Sequence, residues 1–152
     1  MGDRTVRRVM IVIATIGLAL ATYLTILHYA RITVPCAAGG NPCEAVQTSI
    51  YSHVFGIPVA LLGLIGYVFI LGSLLAPDHE LSRIATLGVT LFGLVFSGYL
   101  TYREIFTLKE ICEWCVSSAV LMVILFVLAT IRYVRGVPLL GGSVSPEAGR
   151  SS

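Results

Sequence analysis

Two pairs of cysteines, Cys36 with Cys43 and Cys112 with Cys115, are the side chains of this chain best suited to chemistry. A cysteine pair in a loop, set beside a Cys-x-x-Cys at the mouth of a helix, can pass two electrons by thiol–disulfide exchange. Around them the chain is 57% hydrophobic and only 12% charged. A chain that lives in lipid has little use for four thiols as packing groups.

The two pairs differ as chemistry. Cys36-Ala-Ala-Gly-Gly-Asn-Pro-Cys43 closes a small loop through a turn that Gly39, Gly40, Asn41 and Pro42 make easily. Chain entropy gives such a bond only ~2.5 kcal/mol, which suits a disulfide that opens and closes and equally a staple on an outer loop. Cys112-Glu-Trp-Cys115 closes almost no loop and is a poor staple. It falls where a helix begins, with Cys112 near the N-cap and Cys115 in the first turn, where unpaired N–H groups and the helix dipole favour a thiolate. Glu113 opposes that effect unless it faces the aqueous rim. Four cysteines could also hold zinc, with His28 or His53 as substitutes, but structural zinc pairs have two to four residues between them and the first pair has six.

The elements that must position these thiols are apolar stretches near the ~20 residues that span a bilayer core. They run over about 9–29, 54–76, 84–102 and 112–132. Backbone groups in lipid must be satisfied internally, so these are helices. The fold expected is an all-α integral membrane protein, a four-helix transmembrane bundle over residues 1–135 with a disordered tail over 136–152. The Gly63, Gly66, Gly88, Gly93 and Gly98 positions suit helix packing within one bundle. Arg4, Arg7 and Arg8 could form the n-region of a secretory signal, but the apolar run that follows is longer than the ~7–15 residues of an h-region, and no small-x-small site ends it. Val6 stands where a myristoylation motif needs Ser or Thr.

Arginine and lysine set the orientation. Arg4, Arg7, Arg8, Arg83, Arg132, Arg135 and Arg150 fall on one side and Arg31, Arg103 and Lys109 on the other, which puts both termini in the cytoplasm. The connections over roughly 30–53 and 103–111 then face the periplasm or cell exterior, where disulfides persist. The third connection reads as short, carrying Glu104, Lys109 and Glu110. With a net charge of +2 and its cations at the chain ends, nucleic acid has no support as a partner. A dithiol at the membrane edge is placed to meet a lipid-soluble two-electron oxidant, and quinones are the abundant ones. Tyr51, Phe55, Tyr99, Phe106 and Trp114 lie at that depth, each equally at home in an interfacial aromatic belt.

At this point the chain resembles the vitamin K epoxide reductase family. The resemblance rests on four spans, a cysteine pair in the first outer loop and Cys-x-x-Cys at the start of the fourth helix. Cys43-Glu-Ala-Val-Gln-Thr-Ser49, then Tyr51-Ser52 and Phe55-Gly56-Ile57-Pro58, is similar to the bacterial branch. It implies a membrane oxidoreductase of the inner membrane that takes two electrons from a thioredoxin-like, DsbA-like protein and passes them to menaquinone or ubiquinone. By position it implies that Cys115 reacts with the quinone and Cys112 resolves it. Cys43 exchanges with Cys112, and Cys36 meets the partner. Ser49, six residues after the second loop cysteine, would help place the quinone. Many bacterial members carry the thioredoxin-like partner as a fused domain; here a separate protein is expected. Vertebrate members place an Asn before the second helix and a Tyr four residues beyond Cys-x-x-Cys to hold substrate oxygens. Ser52 and Ala119 stand there, which points to plain quinone reduction rather than epoxide reduction. Ser49, Ser52, Phe55 and Ala119 are thus the candidate quinone contacts, and no metal is expected. The DsbB type of quinone-linked oxidase has the two cysteine motifs in the reverse order. Two other classes compete: a non-catalytic four-span protein with a stapled outer loop, and a Cys₄ metal-binding membrane protein.

Overall fold

A computed structural model of the protein describes residues 2–33, 35, 36, 39, 43, 45, 50 and 53–136, the Val54 side chain apart. Helix α1 spans Asp3–Ala30, with Gly2 extended before it and Asp3 at its positive end, where an acidic side chain is favoured. It turns Val6, Met10, Ala14, Gly17, Ala21 and Leu24 inward, one face at steps of three and four residues. It stops at Arg31, which enters the left-handed region (φ 54°). The Arg31 and Ile32 N–H groups close back on the His28 and Leu27 carbonyls.

The next described elements are the strands β1 (His53–Val54) and β2 (Ile57–Pro58), an antiparallel pair with His53 opposite Pro58. Phe55 and Gly56 both take positive φ (53° and 81°), the backbone of a tight primed hairpin turn. Helix α2 therefore covers Val59–Leu75, 17 residues, and starts later than the stretch expected from about Val54. Val54 to Pro58 is apolar apart from Gly56, so hydropathy does not mark the boundary that turn geometry imposes.

Helix α3 covers Glu80–Arg103 and runs on as a π turn over Glu104–Leu108, ending at Lys109 in the left-handed region. This corrects the expected connection over 103–111, which is helical as far as Leu108. Helix α4 covers Glu113–Gly136. The segments Asp3–Ala30, Glu80–Leu108 and Glu113–Gly136 are long and apolar enough to cross a membrane, while α2 is shorter. The tail after Gly136 and the turn residues 40–42 lie outside the described residues.

The four helices close a ring, α1 against α2 and α4, α3 against α2 and α4. Its centre is filled by Met10, Ala14, Tyr67, Ile70, Leu74 and Leu125, all removed from solvent, while Val12, Phe69, Phe92 and Val95 point outward. The outward apolar side chains suit a lipid surround. The Tyr67 hydroxyl bonds the Ser118 hydroxyl (3.0 Å), tying α2 to α4 inside the bundle.

Gly17 lets α1 and α2 approach closely, since a Cβ there would run into the Tyr67 ring. Gly17→Ala should therefore displace the Tyr67 ring, cost about 1–3 kcal/mol as overpacking does, and lower the melting temperature in detergent. Gly93→Ala meets the Met122 thioether at 2.9 Å. Its loss should be smaller, because an unbranched Met side chain can swing aside. Equal losses in the two variants would contradict this packing.

One end of the bundle is ionic. Arg132, 3% exposed, reaches Asp78 at 2.7 Å and Asp3 at 3.6 Å, and Arg83 reaches the same two carboxylates at 3.1 and 3.5 Å. Arg7 donates to the Leu74 (2.7 Å) and Ala76 (3.1 Å) carbonyls and so caps α2. The first residues of α1, the α2–α3 connection and the last turns of α4 are thereby joined. The cysteines lie at the opposite end.

Candidate active site

At that opposite end α4 begins immediately after Cys112, whose carbonyl accepts the Val116 N–H at 3.0 Å. Cys112 is thus the cap residue and Cys115 lies in the first turn, as the sequence pattern anticipates. Both are present as thiols, Cys112 fully buried and Cys115 partly so. The Cys115 thiol donates to the Cys112 sulfur and holds Cys112 below the ordinary thiol range, against desolvation, which pushes it up. Cys112 is therefore the readier thiolate of the pair.

Cys36 and Cys43 are joined as a disulfide with Cα atoms 6.1 Å apart. Gly39 makes the turn between them at φ 79°, with its N–H on the Cys36 carbonyl at 3.3 Å. Cys43 is fully buried and Cys36 is partly exposed. Leu24, Leu27, Cys43 and Cys112 form one buried cluster, with Cys36, Ala60, Leu108, Trp114 and Cys115 packed against it. Four cysteines from two distant segments thus share one apolar cluster.

Trp114, between the two cysteines of the motif, fixes the loop to the helix. Its Nε1–H donates to the Pro35 carbonyl at 2.9 Å, and its ring lies 5.6 Å from Tyr23. Trp114→Phe keeps the ring and removes the hydrogen bond, a loss of about 1 kcal/mol. We expect the Cys36–Cys43 bond to become several-fold more accessible to a soluble reductant, read by thiol labelling over time. Unchanged labelling would mean the bond is not a clamp.

A carboxylate oxygen of Glu113 lies within 4.8 Å of both loop sulfurs. Among the described residues, the group with ligand-like spacing therefore draws its third member from Glu113 rather than from Cys112 or Cys115. With its two sulfurs bonded to each other, it offers no thiolate to a metal.

Glu104 is the residue that sequence reasoning missed. Read there as a polar side chain of a short connection, it is 4% exposed, and its Oε2 accepts the Cys112 N–H at 3.4 Å. The Cys115 thiol is a second hydrogen-bond partner of the same carboxyl group. The signal was present: continuing the inward face of α3 from Thr86, Thr90 and Gly93 by threes and fours arrives at position 104.

The expected quinone contacts are not all gathered. Ser49 and Ser52, with Tyr51, lie outside the described residues. Phe55 is 100% exposed at the hairpin tip and stands clear of the cysteine cluster. Ala119 is partly buried on α4, one residue beyond the Ser118 that meets Tyr67. Tyr99 is engaged by Arg103 and Phe106 packs on Tyr102.

Compared with known families, residues 8–130, most of the chain, match the model of the vitamin K epoxide reductase family.

Proposed function

Because the chain belongs to the vitamin K epoxide reductase family, whose members are membrane thiol oxidoreductases, we propose that it is a quinone-linked disulfide-generating enzyme. In this reading a thioredoxin-like, DsbA-like dithiol reduces the Cys36–Cys43 bond and leaves as a disulfide. Cys43 then attacks Cys112 of an oxidised Cys112–Cys115 disulfide, releasing Cys115. Cys36 attacks Cys43 in the mixed disulfide to release Cys112, which restores Cys36–Cys43 and leaves the two electrons on the Cys112/Cys115 dithiol. That pair then closes to a disulfide, and a quinone takes two electrons and two protons to become quinol. Menaquinone and ubiquinone both meet the chemistry.

The observation that carries this reading is the shared cluster, in which the buried Cys43 and Cys112 lie together while Cys36 keeps access to solvent. Burial suits an internal exchange between Cys43 and Cys112, and exposure suits Cys36 as the atom a partner attacks. The walls supplied by Leu24, Leu27, Ala60 and Leu108 suit an apolar ring. Ser49, Ser52, Phe55 and Ala119 are the proposed quinone contacts, with Phe55 the weakest by its placement. The arginines at the ionic end favour that end as cytoplasmic and the cysteines as facing the periplasm or exterior.

The test is anaerobic. Fully reduced, detergent-purified protein is mixed with a soluble quinone, and quinone absorbance is followed beside free thiols. Two thiols should vanish per quinone consumed. A reduced protein that leaves every quinone untouched would sink the proposal and leave a membrane protein with a stapled loop.

A further inference from the structure

We infer that Glu104 is the proton acceptor of the Cys112/Cys115 dithiol, taking the proton of the Cys115 thiol as the pair closes to a disulfide. The inference deepens the quinone reading above and rests on it.

A carboxyl group withdrawn from water needs partners or it costs several kcal/mol. Glu104 is placed at such a position by the π turn that prolongs α3, and its two partners both belong to the redox motif: the Cys112 amide and the Cys115 thiol. Arg103 hydrogen-bonds the Tyr99 hydroxyl and lies over its ring, and Glu113 faces the loop disulfide. The hydrogen bonds to the Glu104 carboxyl come from the Cys112 amide and the Cys115 thiol. A side chain needed only to accept the Cys112 N–H could be an amide. The contact with an S–H group is what makes an acid–base residue useful there.

Closing the dithiol breaks two S–H bonds, makes one S–S bond and releases two electrons and two protons. Both electrons go to the quinone. The Cys115 proton goes to the Glu104 carboxylate and from there to the reduced quinone, and the Cys112 proton supplies the second O–H of the quinol. Glu104 ends as it began.

The experiment uses the full-length chain as wild type, Glu104→Gln and Glu104→Asp, each checked for thermal melting. Two quantities are measured against pH: the anaerobic rate of quinone reduction, and the rate of Cys112 and Cys115 alkylation by iodoacetamide, resolved by mass spectrometry. Glu104→Gln keeps an acceptor for the Cys112 N–H and removes the base. It should lower quinone reduction at least tenfold, since positioned acid–base groups contribute about 10²–10⁴. Alkylation should persist with its midpoint moved to lower pH, because a negative charge beside the thiols is gone. Glu104→Asp should restore part of the quinone rate.

A Gln variant that reduces quinone at the wild-type rate with an unmoved alkylation midpoint overturns the inference. So does one that loses quinone reduction and alkylation together without recovery in the Asp variant, which is the mark of a structural role. A wild-type protein inert to quinone defeats the functional reading itself. The alkylation midpoint still reports whether the carboxylate and the dithiol are coupled.

Discussion

A chain with Cys36→Ser and Cys115→Ser should join Cys43 to Cys112 by a disulfide under mild oxidation. Each remaining cysteine has lost the partner of its own pair, and both are fully buried in the same cluster with Leu24 and Leu27. Exchange rates follow access as well as thiolate character, and here the apolar packing brings the two side chains together while shielding them from soluble thiols. The product is read as a loss of two hydrogens in the intact mass and as a linked peptide pair after proteolysis. The converse chain, with Cys43→Ser and Cys112→Ser, leaves the outward Cys36 with the helix-borne Cys115. It should cross-link slower by on the order of tenfold. Equal cross-linking of the two chains would mean that no defined route joins the loop pair to the helix pair. The measurement needs neither quinone nor partner, so it tests the internal step alone.

The second large effect belongs to the other end of the bundle. Asp78→Ala should lower stability by about 2 kcal/mol, less than the ~3–5 kcal/mol of a fully buried broken pair because Asp78 keeps 33% of its side-chain exposure. Its removal leaves Arg132, 3% exposed, with Asp3 as its remaining carboxylate at 3.6 Å. The loss should depend on acidity in a definite direction. The Arg83 guanidinium hydrogen-bonded to Asp78 holds its carboxyl below the usual range, ahead of the opposing effect of desolvation and with help from Arg132. A carboxylate whose native pKa is depressed stabilises the fold fully above its unfolded value of about 4, and that contribution disappears as pH falls through the native value. The melting gap between wild type and Asp78→Ala should thus hold steady from neutral pH down to about 5 and close in stronger acid. A gap that is absent at neutral pH, or that widens in acid, would contradict the ionic account.

Much of the architecture was legible because hydropathy and period are local properties. Long apolar runs announced the helices, and the motif Cys112-Glu-Trp-Cys115 announced its own position at a helix start. What stayed hidden depends on partners far along the chain or on backbone geometry. Asp3, Asp78, Arg83 and Arg132 meet only after three helices have been laid side by side, and no spacing rule joins them. The hairpin before α2 hid inside an apolar run, its mark being Gly56 in a turn that also forces Phe55 into positive φ. Glu104 was passed over because a charge after a hydrophobic run reads as the end of a helix. The chain instead carries its helical path on to Leu108 and turns that charge inward.

The brevity of α2 bears on the lipid as much as on the protein. At 1.5 Å per residue its 17 residues rise about 26 Å, whereas the 28 residues of α1 rise about 42 Å. A hydrocarbon core of ~30 Å is matched unevenly around such a bundle. On the α2 flank either the acyl chains compress or the hairpin and Phe55 sink toward them, at a cost of fractions of a kcal/mol per Å. Bilayer thickness therefore pulls on the segment from His53 to Ala60, and Ala60 is part of the wall behind the cysteines. The composition of the host membrane becomes a mechanical load on the redox end of the molecule.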